Sequence, residues 1–166
     1  MNDLDLPRFE GPVLVTGASG FIGSHLRDGL LAAGNDVVAL RRPGSPPAPR
    51  GRSVEASYDD VASLERAFEE AAPAYVFHVA GVTKGVTYED FRRGNVIPTA
   101  NLLLAARRQA PELRRFVHVS SGATYGPTNA GRPLREEDPR RPIERYGQSK
   151  LEGDRKVEEW ESLPWT

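Results

Sequence analysis

The chain has 166 residues, enough for one domain with its own core, and its 39% hydrophobic and 27% charged content is that of a soluble globular protein. With 22 basic residues against 23 acidic ones the net charge is −1, which gives no footprint for nucleic acid or an anionic membrane surface. There is no cysteine, so disulfides, thiolate metal sites and cysteine nucleophiles are excluded.

In chain order, the acidic start Met1-Asn2-Asp3-Leu4-Asp5 lacks the basic opening of a signal peptide. No apolar run approaches the ~20 residues that span a bilayer, so a cytoplasmic location without a membrane partner is expected. Residues 12–16 form a β-branched run that ends in glycine, a first strand. Residues 21–33 carry Phe21, Ile22, Leu26, Leu30 and Leu31 at helical spacing, and Gly34-Asn35 stops that helix. A second strand over 36–40 is followed by a loop over 42–52 rich in proline, glycine and arginine. A short third strand near 53–56 leads to a helix over 61–71 and a fourth strand over 74–79. A long helix over 91–109 carries Leu102, Leu103 and Leu104; a fifth strand covers 115–120, and a last helix runs over 144–160. There is no internal repeat. Strands that read as continuous apolar runs are buried on both faces, and βα alternation predicts a doubly wound parallel α/β sheet. In such sheets ligands bind beyond the C-terminal ends of the strands.

The first strand runs into Thr16-Gly17-Ala18-Ser19-Gly20-Phe21-Ile22-Gly23. Gly17 permits the tight turn, Gly20 lets a pyrophosphate approach the backbone, and Gly23 lets the helix pack close to the sheet. The helix N-terminus adds free N–H groups and a partial positive charge. Three glycines alone are a weak signal, also met in structural turns; a strand before and an amphipathic helix after supply the context. No Gly-Lys-Ser/Thr follows, which disfavours a nucleoside-triphosphate loop. At the end of the second strand an acid would hold the ribose 2′-OH of NAD, whereas arginine suits a 2′-phosphate. Arg41-Arg42 stands there, 18 residues past Gly23 in the case of Arg41, and favours NADP over NAD; the alternative is a pair of solvated loop charges.

The fifth strand ends in Ser120-Ser121-Gly122-Ala123-Thr124-Tyr125-Gly126, and Tyr146-Gly147-Gln148-Ser149-Lys150 opens the last helix. Tyr146 and Lys150, four apart, share one helical face. A free tyrosine titrates near 10, too high for a general base at neutral pH, and a nearby ammonium and a cationic nicotinamide both favour the phenolate. A drop of ~3 units takes about 4 kcal/mol, within reach of one desolvated charge partner plus hydrogen bonding. Ser121 would hold the substrate oxygen and Tyr146 would move the proton. Alone, Tyr-x-x-x-Lys also occurs as a solvated helix face; the glycine loop and Ser-Ser pair make it a catalytic candidate.

Together these pieces resemble the extended short-chain dehydrogenase/reductases, the NAD-dependent epimerase/dehydratase group. The matching segments are the glycine loop, His78-Val79-Ala80-Gly81, Asn95-Val96-Ile97-Pro98-Thr99-Ala100-Asn101-Leu102-Leu103, the Ser-Ser…Tyr-Gly stretch and Tyr-Gly-Gln-Ser-Lys, in family order over nearly the whole chain. The resemblance implies a Rossmann sheet of order 3-2-1-4-5 and catalytic roles for Ser121, Tyr146 and Lys150. It implies cofactor contacts from Ser19, Phe21 and Ile22 beside the glycines, from Ala80, Gly81 and Val82, and from Tyr146 and Lys150. It also implies that Lys84 reaches the nicotinamide ribose and that Asn95 supports the active-site helix. The chain departs from the pattern at Ser57-Tyr58, where the family usually has an acid near the adenine. Tyr58 then becomes the cofactor contact, with Asp59 a displaced substitute. Trp165-Thr166 reads as the opening of a sixth strand, so residues 1–166 are expected to be an incomplete NAD(P)-binding domain whose substrate-binding part lies further on.

The leading expectation is an epimerase, dehydratase or reductase acting on a nucleotide sugar. The alternatives are an NADP-dependent ketone reductase of the hydroxysteroid or flavonol type and a non-catalytic dinucleotide-sensing or scaffold protein. His25, His78 and His118 are widely spaced and read as packed side chains, with no metal site. Glu136-Glu137-Asp138 with Arg140-Arg141 reads as a solvated loop or as a rim of the substrate entrance. The helices over 91–109 and 144–160 are apolar enough for a homodimer contact, which core packing explains equally.

Overall fold

Val13–Thr16, Val37–Arg41, Arg52–Glu55, Tyr75–His78 and Arg115–His118 are the strands β1 to β5 of a computed structural model that describes residues 6–127 and 131–166. The acidic start at 1–5 lies outside the described residues. All four pairings are parallel, in the order β3-β2-β1-β4-β5. This is the doubly wound sheet that the alternating runs predict.

The register follows from burial on both faces. Val13 and Val15 face α1 (Phe21–Ala32) together with Val37, Ala39 and Leu30. Leu14, Val38, Leu40, Val76 and Phe116 face the opposite layer, which contains Leu64 and Phe68 of α2 (Val61–Ala71) and Leu102 of α4 (Ile97–Gln109). Val157 of α5 (Arg145–Glu158) closes that layer. At the β5 edge, residues 164–166 lie parallel to the sheet: Phe116 N–H donates to the Pro164 carbonyl at 2.9 Å and Trp165 bridges Phe116.

The helix predicted over 91–109 is not continuous. It starts earlier, as α3 (Tyr88–Phe91), because Thr87 and Asp90 cap it reciprocally: Asp90 N–H donates to Thr87 Oγ1 at 3.2 Å and Thr87 N–H to Asp90 Oδ2 at 2.7 Å. A π turn over Arg92–Val96 then separates α3 from α4. Pro98 has no N–H to give to the carbonyl four residues back, and the wider turn ahead of it absorbs that loss.

Candidate active site

Thr16, His78 and His118 stand in register as the last residues of β1, β4 and β5, so the loops after them leave the sheet at one edge. Gly17 takes φ +66°, and a Cβ on it would stand 2.8 Å from the Ala80 backbone. A Cβ on Gly23 would stand 2.2 Å from the Gly17 carbonyl, whereas one on Gly20 would meet only that carbonyl, at 3.3 Å. The turn is thus locked at Gly17 and Gly23 and open at Gly20. Gly20 caps α1 without a side-chain hydrogen bond, which leaves the first-turn amides to water or a ligand. Phe21 and Ile22 are 83% and 58% exposed beside it, and Ser19 is exposed too. Beneath the turn, buried Arg27 of α1 braces it through a 3.0 Å bond from Nη1 to the Ala18 carbonyl.

At the tip of β2, Arg41 and Arg42 part company. Arg41 is held by an ion pair with Glu55 on β3 and by a 2.7 Å bond to the Ser45 carbonyl, and its buried Nε has no hydrogen-bond partner among the described residues. Glu55, opposite Arg41 at the end of β3, thus puts a carboxylate beside the end of β2. Arg42 is exposed and faces Tyr58. The Tyr58 ring packs against the core, and its hydroxyl lies beside Thr16 and the Gly17 backbone. Burial pushes that phenol up to about 12. Asp59 is exposed in the turn before α2.

A directional chain of hydrogen bonds ties the strand tips to the helices. The Thr16 hydroxyl accepts from the amides of Val79 and Ala80, both at 3.1 Å, so its own proton goes to His78 Nδ1 at 2.8 Å. His78 Nε2 then donates to Thr99 Oγ1 at 2.9 Å, and Thr99 donates to the Asn95 carbonyl at 2.6 Å. These bonds fix a neutral imidazole with its proton on Nε2. Burial agrees, and holds the His78 pKa well below the usual histidine range, with repulsion from the Lys150 ammonium, and from His118 once protonated, adding to it. Asn95, in the π turn, accepts from Val82 N–H at 2.7 Å and donates to the Val82 carbonyl at 3.0 Å and to Ser149 Oγ at 2.9 Å. Ser149 in turn donates to the Tyr146 carbonyl at 2.7 Å. The approach depends on small residues, since a Cβ on Gly94 would stand 2.3 Å from Val82 and one on Gly81 2.9 Å from Asn95 Oδ1. Lys84 is exposed in the loop between Val82 and α3.

The segments that carry Ser121, Tyr146 and Lys150 pack together at this same edge. Lys150 Nζ donates to the Val119 carbonyl at 2.8 Å, two residues before Ser121. Gly147 packs on the carbonyl of Ala123, where a Cβ would stand 2.4 Å away. Ser121 Oγ accepts from Ala123 N–H at 3.2 Å as the cap of a single 3₁₀ turn over Gly122–Thr124. The Tyr146 ring is half-buried, edge-on to Phe91 with centroids 6.1 Å apart. Burial lowers the Lys150 pKa, opposed by Asp154.

The match to the NAD dependent epimerase/dehydratase family model covers residues 13–163. The chain belongs to that family. It is 37% identical over 153 residues to a UDP-glucose 4-epimerase of Mycolicibacterium smegmatis, covering 85% of this chain and 48% of that protein. It is 34% identical over 141 residues to a dTDP-6-deoxy-L-talose 4-dehydrogenase (NAD(P)(+)) of Kitasatospora kifunensis, covering 84% and 44%. Among solved structures, the UDP-glucose 4-epimerase of Thermus thermophilus in complex with NAD superposes with a TM-score of 0.83 at 32% identity, over 93% of this chain and 53% of that one. The chain spans about half the length of the curated relatives it matches.

The motifs mark most residues of this edge but not how they are joined. The Thr16–His78–Thr99 chain joins residues 62 and 21 positions apart, beyond the reach of any spacing rule. Asp154 had a local signal, four residues past Lys150 and so on its face of α5. Its neighbours are Ser120, whose Oγ donates to Asp154 Oδ2 at 2.7 Å, and His118, whose Nε2 stands 3.3 Å from Oδ1. Among the described residues no three histidines or carboxylates gather to hold a metal ion, and no helix is long and apolar enough to cross a membrane. Asp138, in the acidic loop, pairs with Arg132 at 2.6 Å, and that bond with the Arg135 amide holds its carboxyl at about 2.

Proposed function

We propose that this chain is the dinucleotide-binding portion of an epimerase, dehydratase or reductase that acts on a nucleotide sugar. The observation that carries this reading is the packing of the first turn of α5, which holds Tyr146 and Lys150, on the Ser121 turn after β5, at the sheet edge where β1 runs into the Gly17–Gly23 turn. The cradle suits a dinucleotide: Gly20 is open, the first-turn amides of α1 are uncapped, and Phe21 and Ile22 offer apolar cover. Gly17, Ser19, Gly20, Phe21, Ile22 and Gly23 would hold the pyrophosphate. Arg42 and Tyr58 would meet the adenosine end, and Ala80, Gly81, Val82 and Lys84 the nicotinamide end. When bound, the nicotinamide supplies the hydride acceptor and donor for the substrate carbon.

The residues of the chain do the rest. Ser121 binds the substrate oxygen and orients its lone pairs. Tyr146 takes the hydroxyl proton, or returns it, with Lys150 placing a positive charge one helical turn away. Asn95 holds Ser149 and hence the first turn of α5, so that the Tyr146 phenol keeps its place. With Arg41 occupied by Glu55, Arg42 is the guanidinium left for a 2′-phosphate, and it supports NADP alongside NAD. That exposed arginine also favours a second reading, a one-way NADP-dependent ketone reductase.

The test uses the full-length protein with UDP-, GDP- and dTDP-sugars and both cofactors. Turnover of one sugar class, falling on the order of 10²-fold or more in Tyr146→Phe, is expected. An unchanged biological activity in Tyr146→Phe would instead establish a sensor or scaffold.

A further inference from the structure

Beneath the Ser–Tyr–Lys group lies a buried titratable cluster that proton transfer at Tyr146 does not itself use. Asp154 is 8% exposed and sits one turn of α5 beyond Lys150. Ser120 Oγ donates to its Oδ2 at 2.7 Å. His118 Nε2 stands 3.3 Å from its Oδ1 but not aligned for a hydrogen bond, so His118 Nδ1 and Nε2 and Asp154 Oδ1 are all left without a hydrogen-bond partner among the described residues. A buried carboxylate with an unsatisfied oxygen is costly unless its charge is used.

We propose that Asp154 is a positioning residue for Lys150: its carboxylate keeps the buried ammonium charged and pins the Ser120-Ser121 end of β5 to α5. It deepens the functional reading above and rests on Tyr146 and Lys150 being the proton-transfer pair. The charges support the assignment. Lys150 is buried, with its Nζ on the Val119 carbonyl, and faces His118 on β5 and His78 on β4, both weakened as bases by burial. Asp154 lies one helical turn along the same face of α5, too far for a direct ion pair, and is the carboxylate whose field favours the ammonium among the described residues. Burial disfavours the Asp154 anion, but the His118 ring edge 3.3 Å away, the Ser120 hydrogen bond and the Lys150 charge together keep the carboxyl below its ordinary range. Arg140, 3.6 Å from Oδ2, is shared with Glu158 at 2.8 Å.

The chain has three lysines, Lys84, Lys150 and Lys156, so the side-chain NMR signals of Lys150 can be assigned with Lys84→Arg and Lys156→Arg and titrated directly, without turnover. In Asp154→Asn, Lys150 should release its proton about tenfold more readily or beyond. Ser120→Ala, which keeps the charge, should leave that titration in place. A folded Asp154→Asn protein with an unchanged Lys150 titration would overturn the proposal. Should Asp154→Asn fail to fold, the unsubstituted chain decides: the Lys150 signals should show a second inflection where Asp154 takes up a proton in acid, and signals that stay flat there would equally overturn it. Loss of activity in Tyr146→Phe bears on the functional reading and leaves this measurement untouched.

Discussion

His78 carries its charge state in its hydrogen bonds. Its Nδ1 accepts and its Nε2 donates, so a second proton would break the contact with Thr16 as well as ionise a buried ring. His118 is likewise held low by burial, against the pull of Asp154. Both folded values lie below that of an unfolded histidine, near 6.5. The unfolded chain therefore takes up protons first, and stability falls as pH drops below about 6.5, by up to ~1.4 kcal/mol per pH unit for each ring. Asp154 adds a separate loss at lower pH, where the unfolded carboxyl is protonated and the folded one is not. Thermal unfolding should show Tm falling from pH 7 to pH 5.5, with a shallower fall in His118→Gln; a flat profile would contradict the buried neutral pair. Of these residues only the positions were legible in the sequence. A histidine at a strand end reads the same whether its partner is Thr99 or water, because the partner lies 21 residues away on another element.

At the scale of elements, legibility tracked how local the cause is. Strands β1 and β2 were readable because burial on both faces leaves unbroken apolar runs, and the helix over Val61–Ala71 because Asp60 caps it and the apolar spacing is regular. The π turn was not readable, since it answers both to Pro98 and to the need to bring Asn95 to Val82 and Ser149. The cradle of Gly147 against Ala123 was hidden for the same reason, although the Tyr-Gly-Gln-Ser-Lys motif contains it. Gly147→Ala should force α5 away from the Ser121 turn and lower stability by about 1–3 kcal/mol. Gly122→Ala, with nothing within 4 Å of the added carbon, should stay within about 0.5 kcal/mol. Chemical denaturation of the two variants compares them directly, and equal effects would dispose of the contact.

Across the whole molecule, parallel pairing in register puts the tips of β1, β4 and β5 side by side, and the site is a consequence of that alignment. The opposite layer leaves Leu104 on α4 37% exposed, beside a groove lined by Ala100, Leu103, Arg107 and Trp160. The expected homodimer through the helices over 91–109 and 144–160 would use this face: sedimentation of Leu104→Arg should then move toward the monomer, and identical sedimentation would remove this face from any interface. The central claim is that the glycine turn and the Tyr146–Lys150 face meet one dinucleotide. Titrating the chain with NADP and with NAD while following the backbone amide signals tests it most directly. Gly17, Gly20 and Gly23 should shift together with Tyr146 and Lys150, along one binding curve. A dinucleotide that moves the glycine signals and leaves Tyr146 and Lys150 unmoved, or that moves neither, would contradict the account.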